Sequence, residues 1–277
     1  IRESFPGHAL LGEESVPPGV DAAMEALSLI DDEFIWIVDP IDGTTNFVSG
    51  LPLCAISIAV AQDGERHCAV VYDPFRDELF SAVRGEGAFL NGEPIRASGV
   101  VALREAVLCA CSPHSERSVG PALRSITELM PRARSIRILG SGVLNFAWVA
   151  CGRLGAYWEP ELAPWDSAAG TLLVEEAGGT VSNLAGEAYA LQTIDVLACA
   201  AGIHGELIEA FERCVATGRD TVTPEPLDDE ACEEGDDPVL LLAARVAAAK
   251  AAKARAAARA NQGSSIPVDK RWGGLFR

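Results

Sequence analysis

Residues 36–47 read WIVDPIDGTTNF. The apolar run Trp36-Ile37-Val38 reads as a strand that runs out at Asp39. A second carboxylate, Asp42, follows three residues later, and Gly43, Thr44 and Thr45 come directly after it. Two like charges this close repel. Alone, D-P-x-D reads as a strand end, a turn set by Pro40 and a helix cap at Asp42. The Gly-Thr-Thr that follows points elsewhere. Backbone N–H groups at a new helix start make an anion site, and Gly43 lets an anion approach closely. Carboxylates beside that cradle would repel a phosphate. Hard divalent cations remove the conflict, because Mg²⁺ takes oxygen ligands from one or two carboxylates and from phosphate oxygens. The stretch therefore reads as a metal-assisted phosphoryl site.

Such a site needs further acids. GEES at 12–15 offers Glu13 and Glu14 in a polar turn after Ala9-Leu10-Leu11. WDSAAG at 165–170 puts Asp166 at a helix start, the favourable end of the dipole. Taken singly, Glu13 reads as an exposed loop acid and Asp166 as a helix N-terminal charge, since surface acids are the default.

The rest of the chain sets limits. Its 277 residues allow one large domain or two smaller ones, and 49% hydrophobic content suffices for a sizeable core. No apolar run approaches the ~18 residues of a membrane span. The net charge of −18 is uneven. Residues 1–219 carry 30 acids and 14 bases, giving −16. Residues 220–238 carry nine acids and no base, and residues 239–277 one acid and eight bases. An acidic main body disfavours general nucleic-acid binding and suits a protein that collects cations or simply stays soluble. Eight cysteines are scattered without a C-x-x-C pair, and Cys109 and Cys111 would point the same way on a strand. With no secretory leader ahead of them, reduced thiols in the cytoplasm are expected. His8, His67, His114 and His204 have no ligand spacing, so a His/Cys zinc site is not supported.

The pattern of elements is layered. Residues 53–61, 67–73 and 78–83 read as strands, and Asn91-Gly92 as a hairpin turn. Strands at 107–112, 135–139, 155–159 and 194–200 then alternate with helices at 118–130, 142–151 and 165–177. After the last strand, Ile203, Leu207, Phe211, Cys214 and Val215 fall on one helical face. This alternation argues for a layered α/β protein. Residues 220–238 read as an acidic, proline-punctuated linker. Residues 239–277 read as an alanine-rich basic helix with an irregular end, either a solvated appendage or a docking helix.

GEES, WIVDPIDGTTNF and WDSAAGTLLVEEAGG together resemble the signature set of the inositol monophosphatase family. VVYDPFRDELFSAVRGEGAFLNGEPI is similar to that family's central hairpins. The resemblance runs from Ile1 to about Arg219. It implies an α/β (α+β) fold, the α-β-α-β-α sandwich shared with fructose-1,6-bisphosphatase, usually as a homodimer. It also implies a Mg²⁺-dependent, lithium-sensitive phosphomonoesterase holding two or three ions. Glu13 then resembles a metal ligand, Asp39 the carboxylate that bridges two metals, and Ile41 a carbonyl ligand. Asp42 and Asp166 would hold the second metal. Thr44 resembles the hydroxyl that, with Glu13, orients the attacking water.

The chemistry agrees with those roles. Metal coordination lowers the pKa of a bound water, and Gly43 and Thr44 amides add fixed dipoles for phosphoryl oxygens. Substrate hydroxyls would meet Gly140-Ser141-Gly142 and Glu159. These also read plainly as a turn before a helix and an acid at a strand end. G-S-G departs from the family's more usual G-T/S-A, and PELAP between Glu159 and Trp165 is proline-rich. The family also carries helices ahead of GEES, for which this chain has 11 residues. The expectation is an inositol monophosphatase-like domain at 1–219, lacking those helices, that hydrolyses inositol 1-phosphate or a similar polyol phosphate. Relatives act on fructose 1,6-bisphosphate, histidinol phosphate or 3′-phosphoadenosine 5′-phosphate, but T-T-N-F looks more like the inositol type. A shortened, non-catalytic binding protein is the reading from a different class, and the intact acid set argues against it.

Overall fold

Period-two alternation of apolar residues builds the first sheet. The computed structural model describes residues 1–217 other than Asp31, Asp32, Cys111 and His114. Strands β1 (Ala9–Gly12), β2 (Phe34–Asp42), β3 (Ala55–Gln62), β4 (Glu65–Asp73), β5 (Glu78–Val83), β6 (Gly87–Leu90) and β7 (Glu93–Pro94) lie side by side in chain order. All neighbours are antiparallel except β1 and β2. A parallel pair needs a crossover, and α1 (Val20–Ser28) supplies it. Asn91 and Gly92 both take positive φ, 52° and 85°, as the expected hairpin turn between β6 and β7 requires.

The second half alternates as expected: β8 (Val107–Cys109), α3 (Glu116–Leu129), β9 (Ser135–Arg137), α4 (Gly142–Ala150), β10 (Ala156–Glu159), α5 (Pro164–Glu176), β11 (Thr180–Ser182), β12 (Val196–Cys199) and α6 (His204–Thr217). Its sheet runs β11-β12-β10-β8-β9. Helices α4 and α5 pack against each other and against strands of both sheets. Being covered on two sides, they are apolar nearly all round, and every residue of α5 from Ser167 to Val174 is buried. Close approach of the two helices depends on Gly170, where a Cβ would stand 2.4 Å from that of Phe146. The far face of the second sheet carries its own core, with Leu108, Trp158 and Leu197 against Leu129 of α3 and Phe211 of α6.

Three expectations need correction. The strand at Trp36 does not stop at Asp39 but runs to Asp42 through a bulge, because Pro40 cannot donate to the ladder. The strands expected at 107–112 and 135–139 end at Cys109 and Arg137. Cys111 lies outside the described residues, so its orientation relative to Cys109 is not described. On α6, Ile203, Leu207, Phe211 and Cys214 are buried, but Val215 is 81% exposed. At about 100° per residue Val215 sits about 120° round from Ile203, beyond the buried stripe. The linker and tail, residues 220–277, lie outside the described residues.

Candidate active site

The bulge in β2 creates the site. Asp39 pairs with Ser57 and Asp42 with Ala55, so three steps on β2 face two on β3. Residues three apart on a regular strand face opposite ways, and the extra residue returns Asp42 to the side of Asp39. Asp39 Oδ1 accepts the Ile41 N–H at 2.8 Å, which pins the turn. Helix α2 (Thr44–Val48) begins after Gly43, whose φ is 82°. A Cβ on Gly43 would stand 2.8 Å from the Leu53 carbonyl and 3.1 Å from that of Gly140. Protein backbone, as well as any anion, therefore demands glycine here. The cap of α2 is this glycine and not Asp42. Asp42 instead supports the start of α4 beside its cap, Ser141: its Oδ2 accepts the Val143 N–H at 3.1 Å and the Ser141 hydroxyl.

Other elements converge on the same place. Gly12 pairs with Val38 in the parallel β1–β2 ladder, which sets Glu13 beside Asp39. Glu14 faces solvent. Asp166, near the start of α5, accepts the Ala163 N–H at 3.0 Å. Carboxylate oxygens of Asp39, Asp42 and Asp166 come within 4.8 Å of one another. Glu13 is outside that trio but lines the same cavity, of about 520 Å³. Thr44 is exposed at its edge, and its hydroxyl donates to the Ile41 carbonyl at 3.1 Å. Gly140, Ser141, Gly142 and Glu159 line the far side.

Sequence reasoning missed several lining residues, among them Tyr157, Glu161, Asn46 and Asn145. Tyr157 stands on β10 two residues before Glu159, where strand alternation puts both on one face. Its hydroxyl donates to Glu159 Oε2 at 3.0 Å. Glu161, inside the proline-rich PELAP, accepts from Arg117 at 2.6 Å and from the Ser115 hydroxyl. Asn46 ties α2 to the G-S-G turn, donating to the Leu53 and Leu139 carbonyls at 2.9 and 2.7 Å. Asn145 follows Ser141 by one helical turn, a spacing that could have flagged it. Its buried Oδ1 has no partner among the described residues.

The electrostatics are those of a cation site. Burial, ahead of repulsion from Asp42, Glu13 and Asp166, pushes the Asp39 carboxyl up to about 10. Burial raises Asp42 to about 6 even though Ser141 and Val143 donate to it. Asp166 is held well above the carboxylate range, first by burial and then by Asp42. Burial also raises Glu13. Glu159 rises to about 8, because burial outweighs its bonds from Tyr157 and Ser112. Among the described residues no Lys, Arg or His lines the cavity to offset six carboxyls. Three acidic oxygen donors held together and short of positive charge fit hard divalent cations.

A layered sandwich that gathers carboxylates beside a helix start belongs to the class of metal-dependent phosphoric monoester hydrolases. Residues 1–216 match the model of the inositol monophosphatase family. Inositol-1-monophosphatase of Mesorhizobium japonicum is 40% identical over 214 residues, 77% of this chain and 77% of that protein. Nus factor SuhB of Escherichia coli is 39% identical over 222 residues, 77% of this chain and 80% of its own. The solved inositol monophosphatase of Anabaena (Nostoc) sp. PCC 7120 superposes with a TM-score of 0.70 at 36% identity, covering 77% of this chain and 81% of that one. The chain belongs to the inositol monophosphatase family and is a phosphatase. No helix among the described residues is long and apolar enough to cross a membrane.

Proposed function

We propose that this protein hydrolyses inositol 1-phosphate, or a similarly small polyol phosphate, with two or three Mg²⁺ ions as cofactor. The observation that carries the reading is the convergence of Asp39, Asp42 and Asp166 on one cavity. Those three carboxylates, Glu13 and the Ile41 carbonyl would hold the ions. Bound Mg²⁺ lowers the pKa of a coordinated water and offsets charge on phosphoryl oxygens. The protein's own groups do the rest. Glu13 and the Thr44 hydroxyl orient the attacking water in line with the leaving alkoxide. Gly43 and Thr44 N–H groups receive phosphoryl oxygens. Ser141, held by Asp42, fixes the Gly140–Gly142 wall, and Glu159 accepts a substrate hydroxyl. No Ser, Cys or His nucleophile is required.

The acidic body, −16 over residues 1–219, supports a small phosphorylated substrate over nucleic acid. Family membership supports a cytoplasmic homodimer and lithium sensitivity. A phosphate-release panel with and without Mg²⁺ tests the reading. Inositol 1-phosphate should turn over fastest and only with Mg²⁺. Equal release in the presence of a chelator, or preference for fructose 1,6-bisphosphate, histidinol phosphate or 3′-phosphoadenosine 5′-phosphate, would sink it.

A further inference from the structure

Tyr157 and Gly142 make a matched pair. The Tyr157 ring is 1% exposed and meets Phe146 edge-on, with centroids 4.9 Å apart. That packing fixes the ring and aims its hydroxyl into the acid-lined cavity, at Glu159 Oε2. The same hydroxyl crowds the backbone of α4. A Cβ on Gly142 would stand 2.9 Å from it, closer than side-chain contacts allow. Gly142 has no positive φ that would call for glycine, and it opens a helix that glycine weakens. The position is empty because the phenol occupies the space.

Glu159 Oε2 also accepts the Ser112 N–H, at 3.3 Å. Among the described residues no hydrogen bond reaches Oε1. One carboxylate oxygen is thus anchored twice, and Glu159 lines the cavity. We infer that Tyr157 is a positioning residue that locks Glu159 for a hydroxyl of the substrate's leaving group, with Gly142 as the space it needs. The inference rests on the phosphomonoesterase reading and adds a basis for choosing substrates. Esters whose leaving group carries a hydroxyl use the anchored carboxylate, and esters without one do not.

Kinetics of Tyr157→Phe and Gly142→Ala on inositol 1-phosphate and on phenyl phosphate test this. Each variant should raise KM for inositol 1-phosphate roughly tenfold, the scale of one hydrogen bond to a charged group. For Tyr157→Phe, KM for phenyl phosphate and both kcat values should move less than about twofold. Equal losses of Tyr157→Phe on both substrates, or none on either, would overturn the assignment. Melting of the free protein gives a second readout without turnover. Gly142→Ala should lower Tm in the wild-type background and much less in the Tyr157→Phe background. Equal lowering in both would show that the hydroxyl and the added methyl do not meet. A wild type inactive on every ester with Mg²⁺ would instead remove the phosphatase reading itself, and the hydroxyl-sorting role with it.

Discussion

Asp39 is 1% exposed, and every charged group that raises its pKa is another carboxyl. Without cations the folded protein therefore holds a repelling cluster. Asparagine at 39 keeps the shape and is neutral in both states, so it removes the cost of the proton that Asp39 must take up on folding at pH 8. Asp39→Asn should abolish turnover, yet raise the Tm of the metal-free protein at pH 8 by a few degrees, at roughly 2–4 °C per kcal/mol. A Tm at or below wild type in chelator would show that repulsion does not strain the site. Thr44→Ala and Glu13→Gln should behave differently. Both act on the water in the transition state, so kcat should fall roughly 10²-fold or more with little change in KM. A rise in KM alone would make them ground-state contacts. At this scale the acids were legible because D-P-I-D-G-T crowds charge where a chain normally separates it. Tyr157 and Asn145 carry no such conflict in sequence, and only their spacing from Glu159 and Ser141 points to them.

The elements hold those residues through two devices. One is the bulge at Pro40, which turns Asp39 and Asp42 to the same side. Proline in a strand run is a readable signal, but a ladder break and a bulge look alike in one sequence. The other is the tight seam between α4 and α5, where Gly170 receives Phe146. Gly170→Ala should destabilise by about 1–3 kcal/mol through overpacking, as read from urea unfolding. A neutral result would mean that the seam relaxes easily. Helix lengths here followed from apolar content and from the paired glycines after Glu176. Short strands such as β11 were illegible, because three residues make no period.

For the whole molecule, the sequence pattern reached the layered α/β class, and the motif set reached the family. The layer contacts themselves depend on pairings far apart in the chain, which periodicity does not encode. Two expectations belong here. Asp39, Asp42, Asp166 and Glu13 are all raised in the folded state, so the folded protein binds more protons than the unfolded chain above about pH 4. Stability of the metal-free protein should therefore be highest near that pH and fall as pH rises through about 6 and on toward 10. Mg²⁺ should raise Tm most at the alkaline end. A Tm in chelator that climbs from pH 5 to pH 8 would contradict this. Among the described residues every cavity residue lies between Glu13 and Asp166. Deleting residues 220–277 should accordingly leave kcat and KM within about twofold. Aggregation or lost turnover would give the tail a structural part.

The claim beneath all of this is that three carboxylates are gathered to take up cations around a phosphate. Titration calorimetry of Mg²⁺ into the metal-free protein at pH 7.5 reads it most directly, with inorganic phosphate present and in two buffers of different ionisation enthalpy. Asp39, raised to about 10, must give up a proton to become a ligand. At least two Mg²⁺ ions should bind, with a heat that differs between the buffers by at least one released proton and with binding weakened in Asp39→Asn. No Mg²⁺ binding with phosphate present, or binding that releases no proton and is unchanged in Asp39→Asn, would contradict it.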